Sequence, residues 1–257
     1  MFDLLNYSAP GEIYEDHVKF CLKAWAGFKE RMIPTLARLF DTQIHEVKAT
    51  VEMMIVCHDV GKLSARWQDY IKSPKEKRSK GPPHATLGAP YVLYFNERSK
   101  HDLYYAGALA ILMHHTDSGL AQGNLEHPAE DAINRRLVEY GTERIRWAAG
   151  AEESFRRSVG FSSLTEKLPE LTEAITLGSL ENMAKDLRQW ARCPREIDRH
   201  RRRLQALALH HILKVCDWRA ASQRPQQEPD EDEEGEKIEK KCKQSLLSVF
   251  LDGGLLP

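Results

Sequence analysis

Cysteine is sparse in this chain: Cys21, Cys57, Cys193, Cys216 and Cys242 are odd in number and far apart, with no Cys-x-x-Cys pair. That argues against a zinc knuckle and against the dense disulfide framework of a small secreted scaffold, and it fits a reduced protein. Long apolar runs are missing too; none approaches the ~20 residues a membrane-spanning helix needs. The first residues show no basic stretch followed by an apolar one, so no secretory signal is visible. The expectation is a cytoplasmic protein with no membrane partner. Charge of neither sign is in excess, since 37 Lys+Arg oppose 38 Asp+Glu for a net −1. Bulk electrostatic capture of nucleic acid is unsupported, though a local basic patch remains open, because field follows arrangement and not the sum. No GxxxxGK[ST] phosphate loop occurs, so the chain carries no helicase motor.

Strand signals are also scarce, with no convincing alternation and no Asn-Gly turn. What is present is helical periodicity. From Ile44, apolar residues recur at Val47, Val51, Met54, Ile55 and Val56 and lead to His58, where Gly61 reads as the stop. Further helices are expected over 14–32 and 36–40 (split near Pro34), 85–95, 104–114, 128–157, 164–191 and 196–222. The stretch 73–83 is basic and rich in Pro and Gly, a loop. These signals predict one all-α domain over 1–222, an acidic linker over 223–236, and a short C-terminal helix and tail over 237–257. With 42% hydrophobic residues there is enough apolar side chain for a core.

The residue in surplus is histidine, with eleven. The central feature is His58-Asp59-Val60-Gly61-Lys62. It places a neutral nitrogen and an anionic oxygen side by side at a helix end, a pair suited to a borderline divalent cation. A lone His-Asp dipeptide means little. Here it is joined by His17 on the first helix, His84 after Pro82-Pro83, the pair His114 and His115 closing an apolar helix, and Asp217 late in a long one. Asp217 follows Ala206, Leu209, Ile212, Leu213 and Val215, so it is expected to be partly buried, and a buried carboxylate needs a partner or a metal. Each of these alone is more often a cap or a surface residue; the set is not.

In this order the motifs resemble the HD superfamily, and more closely its CRISPR-associated HD nucleases, the nuclease portion of the type I interference helicase–nuclease. His58 through Lys62 followed by Trp67-Gln68 resembles the HD-x-GK run with its aromatic-Gln. His84-Ala85-Thr86-Leu87-Gly88-Ala89 resembles the HxxxGA helix start, and His114-His115 the paired histidines. The resemblance covers residues 17–222. It implies an HD-domain helical bundle around a mono- or dinuclear metal site, with His17, His58, Asp59 and Asp217 holding one cation. Asp59 would bridge to a second cation held by His84, His114 and His115, and Lys62 would steady phosphate charge beside Asp59 as the catalytic pair. It also implies single-stranded DNA as substrate, with a separate helicase subunit and a guide-RNA surveillance complex as partners. One departure stands out: the family often has a small hydroxyl residue four positions after the last aspartate, where this chain has Ala221, with Ser222 next.

The chemistry of the residues agrees. Cations beside a phosphodiester would neutralise the oxygens that repel a nucleophile and bring a bound water's pKa near neutrality. Histidine-rich ligation favours Mn, Fe, Co, Ni or Zn, with Mg possible at a weaker position. The alternative activity is an HD phosphohydrolase acting on a nucleotide or cyclic dinucleotide, and a third reading is a degenerate scaffold that only binds partners. Elsewhere, His210 is a candidate for supporting the ligands from behind, while His45, His101, His127 and His200 read as surface residues. Runs at Lys75–Lys80 and Arg192–Arg203 are solvated faces or a nucleic-acid track. Trp67, Trp147, Trp190 and Trp218 read as core, and Cys57 and Cys216 as small packed hydrophobes.

Overall fold

In a computed structural model, residues 5–74, 84–94, 101–115, 145–165 and 168–224 are described. The acidic linker, the C-terminal helix, His127 and the Lys75–Lys80 run lie outside them. A small hairpin, β1 (Tyr7–Ala9) and β2 (Glu12–Ile13), leads into α1 (Tyr14–Ala26). No strand signal marks that stretch, yet Pro10-Gly11, with Gly11 at φ 76°, makes the turn. Then follow α2 (Lys29–Phe40), α3 (Ile44–Cys57), a 3₁₀ turn (Val60–Leu63), α4 (Ala65–Lys72), α5 (Ala85–Tyr94) and α6 (Asp102–Met113). The remaining helices are α7 (Ala151–Val159), α8 (Leu171–Ala174), α9 (Leu177–Ala191) and α10 (Glu196–Ala221). This is the expected all-α bundle. None of the described helices is long and apolar enough to cross a membrane.

Its centre is set by burial pattern. α3 is buried at every residue from Thr50 to Cys57, and α6 at every residue from Ala106 to Met113. A helix apolar all round belongs in the interior. α6 packs between α5 and α10, and α10 also runs along α1. α1 turns Tyr14, Val18, Cys21, Leu22 and Trp25 inward at helical spacing, and His17 shares that inward face.

Three expected boundaries shift. The first helix breaks at Gly27-Phe28, where the Phe28 ring packs edge-on against Trp25, 5.3 Å between centroids. Pro34 sits inside α2 on its exposed side, where solvent can take up the carbonyl it leaves unpaired. Of the expected 128–157 helix, residues 145–150 are instead extended or turned: Trp147 bridges Ser64, and Gly150 at φ 74° precedes α7. The expected 164–191 helix is interrupted at Pro169 and again before Thr176, whose hydroxyl caps α9 by accepting from the Ser179 N–H.

Gly61 is not a left-handed helix stop. α3 ends at Cys57 with His58 still helical, and the chain tightens into the 3₁₀ turn. A Cβ at Gly61 would overlap the His84 carbonyl, and one at Gly88 would overlap the Cys57 carbonyl. The two glycines let the end of α3 and the start of α5 touch backbone to backbone, bringing the His58-Asp59 corner against His84. Gln68 completes the corner: its amide donates to the carbonyls of Tyr7 (2.8 Å) and Lys62 (2.7 Å) and accepts from the Tyr7 N–H.

Candidate metal centre

His17 from α1, His58 and Asp59 from the end of α3, Lys62 from the 3₁₀ turn, His84 before α5, His114 and His115 after α6, and Asp217 from α10 converge on one spot. All but His115 and Asp217 are buried, and the Asp217 side chain is 18% exposed. Asp59 is the hub, and its two oxygens face opposite ways. Oδ2 lies 3.3 Å from His17 Nε2, 3.4 Å from His58 Nε2 and 2.7 Å from Lys62 Nζ. Oδ1 lies 3.1 Å from His84 Nε2 and 3.6 Å from His114 Nε2. Asp217 Oδ1 sits 3.3 Å from His17 Nε2 and 3.9 Å from His58 Nε2. His115 Nε2 is 2.7 Å from His84 Nε2.

Backbone and carboxylate partners fix how the rings face. The Nδ1–H of His58 donates to the Ile55 carbonyl and that of His114 to the Ile111 carbonyl, both at 2.6 Å. His17 Nδ1–H donates to Glu12 Oε1 at 3.1 Å. A carbonyl or carboxylate can only accept, so each ring must carry its proton on Nδ1 and turn the Nε2 lone pair inward. This is how metal-binding imidazoles are held.

The electrostatics describe acids facing inward together. Burial works against the Asp59 charge, yet Lys62 and the surrounding imidazoles hold its carboxyl well below the usual range. Asp217 is likewise held low, against burial, by His17 and His58. Burial would lower His17, but Cys21, Asp217 and Asp59 raise it well above the ordinary value. Burial pushes His58 and His84 down to about 4 despite Asp59. Glu12, also against burial, falls to about 2 through His17, Arg224 and Ser8.

The donors fit a divalent cation. Among the described residues, His58 Nε2, His114 Nε2 and Asp59 Oδ1 are buried without a hydrogen-bond partner. Such orphaned groups each cost about 1–3 kcal/mol, more when charged, and a fold carries several together only where something else satisfies them. Two donor sets form, each with its atoms within 4.8 Å of one another: His17, Cys21, His58 and Asp217, and Asp59, His84, His114 and His115.

A family model described as Cas3, HD domain, matches residues 16–249. The chain belongs to the Cas3 HD-domain family. Membership makes it an HD-family nuclease, a hydrolase. Its relatives include a CRISPR-associated endonuclease Cas3-HD of Pyrococcus furiosus, 24% identical over 228 residues, which span 85% of this chain and 92% of the relative. A protein of the same name from Methanocaldococcus jannaschii is 30% identical over 158 residues, 57% of this chain and 62% of that one. The structure of the CRISPR-associated Cas3 HD domain protein from M. jannaschii superposes with a TM-score of 0.57 at 17% identity, covering 80% of this chain and 96% of that one. At that identity the likeness shows the fold, and it agrees with the helical bundle.

Several Cas3 HD residues take roles that the sequence did not reveal. Glu12, five positions before His17 and on a strand, had no helical spacing to flag it; it orients His17 and is itself held by Ser8 and by Arg224 at 3.0 Å. Cys21, one turn beyond His17, has its sulfur 3.7 Å from His17 Nε2. His210, which the sequence does mark as a candidate support, lies behind the second set, Nε2 donating to the Met113 carbonyl at 3.1 Å, just before His114. Ser222 turns its hydroxyl back to the Arg219 carbonyl, away from the donors. Cys57 and Cys216 are buried, as expected of packed hydrophobes. Trp67 and Trp190 are buried, whereas Trp147 and Trp218 are half-buried. Arg199 to Arg203 of the arginine run lie toward the start of α10, about 21–27 Å along the helix from Asp217 at 1.5 Å per residue. Within it Arg202 is used internally, donating to the Trp190 carbonyl at 2.6 Å.

Proposed function

We propose that this chain is a divalent-metal-dependent nuclease whose centre takes two cations sharing Asp59, and that it cuts single-stranded DNA in CRISPR interference. The observation that supports this most is the split of the Asp59 oxygens, Oδ2 toward His17 and His58 and Oδ1 toward His84 and His114. His17, His58, Asp217 and Asp59 Oδ2 would hold one ion; Asp59 Oδ1, His84, His114 and His115 would hold the other. Bound cations there supply phosphate charge neutralisation and an acidified water.

The protein's own groups do the rest. Glu12, Ile55 and Ile111 hold three imidazoles in the tautomer that presents Nε2. Lys62, its ammonium against Asp59 and over the Trp67 ring at 5.3 Å, adds a fixed positive charge beside the position a phosphate would take. His115, exposed at the rim, faces the incoming strand. Single-stranded DNA as substrate, a separate helicase subunit and a guide-RNA surveillance complex follow from the family's setting, and the Cas3-HD names of the relatives support that setting.

The test is incubation of chelator-stripped protein with labelled circular single-stranded DNA, duplex DNA, RNA and a cyclic dinucleotide, with Mn, Co, Ni or Mg added separately. Metal-dependent cutting of the circular single strand is expected. Cleavage of the cyclic dinucleotide alone would move the assignment to a phosphohydrolase, and no cleavage by metal-loaded protein would end it.

A further inference from the structure

We propose that Cys21 is itself a ligand of the cation shared by His17, His58 and Asp217, giving this centre a sulfur donor that the histidine–aspartate pattern does not contain. The inference rests on the metal-centre reading above and deepens it. Cys21 follows His17 by one turn of α1 on the same inward face and is fully buried. Its Sγ stands 3.7 Å from His17 Nε2, the nitrogen that also meets Asp217 Oδ1 at 3.3 Å.

Those separations have a geometric meaning. With nitrogen and oxygen at about 2.0–2.1 Å and sulfur at about 2.3 Å from a cation, ligands about 90–120° apart around a four- or five-coordinate ion stand about 2.9–3.6 Å (N···O) and about 3.1–3.8 Å (S···N) from each other. The observed distances fall within both ranges. A second observation points the same way: His58 Nε2, buried and facing this set, has no hydrogen-bond partner among the described residues. Nearness in sequence does not explain it. Cys57 directly precedes His58, yet its sulfur turns away to the Met53 sulfur at 3.7 Å.

On binding, His17 Nε2 and the Cys21 sulfur each present a lone pair to the ion, and the thiol proton leaves to solvent, since coordination deprotonates a thiol. No oxidant or reductant is involved. A thiolate shifts this position toward Co, Fe, Ni or Zn and away from Mg, which takes oxygen ligands.

Cobalt(II) reports sulfur directly. The full chain, stripped by chelator under reducing anaerobic conditions, is titrated with cobalt and followed by absorption, with bound cobalt counted after gel filtration. The expected result is a near-ultraviolet sulfur-to-cobalt charge-transfer band growing with the visible d–d bands. In Cys21→Ser and Cys21→Ala the d–d bands remain, the charge-transfer band is lost, and cobalt is held at least about tenfold more weakly. Bound cobalt without a sulfur band in the natural chain, or a band that survives Cys21→Ser, overturns the assignment and leaves the histidine–aspartate centre standing. Failure to retain cobalt at all overturns both. The natural chain's spectrum decides the matter even if a variant folds poorly.

Discussion

The two halves of the centre are built differently. The half around His17, Cys21, His58 and Asp217 draws its donors from within α1 and α10 and from the end of α3, and both imidazoles are fully buried. Their second nitrogens are fixed by Glu12 and by the Ile55 carbonyl. The half around His84, His114 and His115 comes from helix ends, and His115 is exposed. Among the described residues there, His114 alone has its Nδ1 held by a carbonyl, the buried His84 Nδ1 has no partner, and His115 leans on His84. Closed sites with oriented ligands retain their ions, whereas sites with an open side admit water and substrate. On the proposed two-cation reading, the comparison predicts a resident cation in the first half and an exchangeable one, placed by substrate, in the second.

Asp59 belongs to both halves, so its loss has the largest effect. Asp59→Asn should lower cleavage by more than about 100-fold, because even partners behind a ligand cost 10–100-fold, and should reduce bound metal in both halves. Near-normal activity with full metal content would dissolve the bridge. The next pair separates the halves: His115→Ala should leave one tightly held ion per chain after dialysis, while His58→Ala should lose that ion. Elemental analysis of both variants reads this out, and equal losses would mean the halves are one site. Glu12→Gln is the finer cut. It keeps the side chain's shape but weakens the hold on His17, so affinity in the first half should fall about 10–100-fold with the second half unmoved. Isothermal titration resolves the two; an equal drop in both would show that Glu12 acts on the fold instead.

The candidate ligands were legible through the order of motifs that resembles the HD family, with apolar runs leading up to His58, His114 and Asp217. The structure brings His17, His58, Asp59, His84, His114, His115 and Asp217 to one spot, most of them at helix ends. What the pattern missed has a common cause. Glu12 acts from a short hairpin whose first strand is held at Tyr7 by Gln68, 61 positions away, and no local signal encodes that contact. Cys21, unlike Cys57 and Cys216, is not adjacent in sequence to a candidate ligand; what links it to His17 is the i, i+4 spacing of a helix face. The local chemistry of Gly61 suits a helix stop, but its reason is the His84 backbone pressed against it, a tertiary fact.

His210 gives the smallest effect and the test least tied to the ions. It is 6% exposed, and burial pushes its pKa down to about 4 from an ordinary 6.5, although the Met113 carbonyl pulls the other way. Above pH 6.5 the ring is neutral both folded and unfolded, and its contribution to stability is fully present. As pH falls from about 6.5 toward 4, the unfolded chain takes up a proton that the folded one refuses, so stability declines across that window and the loss is complete below it. The ceiling is about 3 kcal/mol at 1.36 kcal/mol per unit. His210→Gln, which can still donate to the Met113 carbonyl, should flatten this part of the pH dependence in metal-free protein. Urea unfolding of both chains at pH 7 and pH 5 measures the difference. An unchanged slope would mean that His210 titrates freely and does not brace the step into His114, leaving the second half of the centre even less supported than the first.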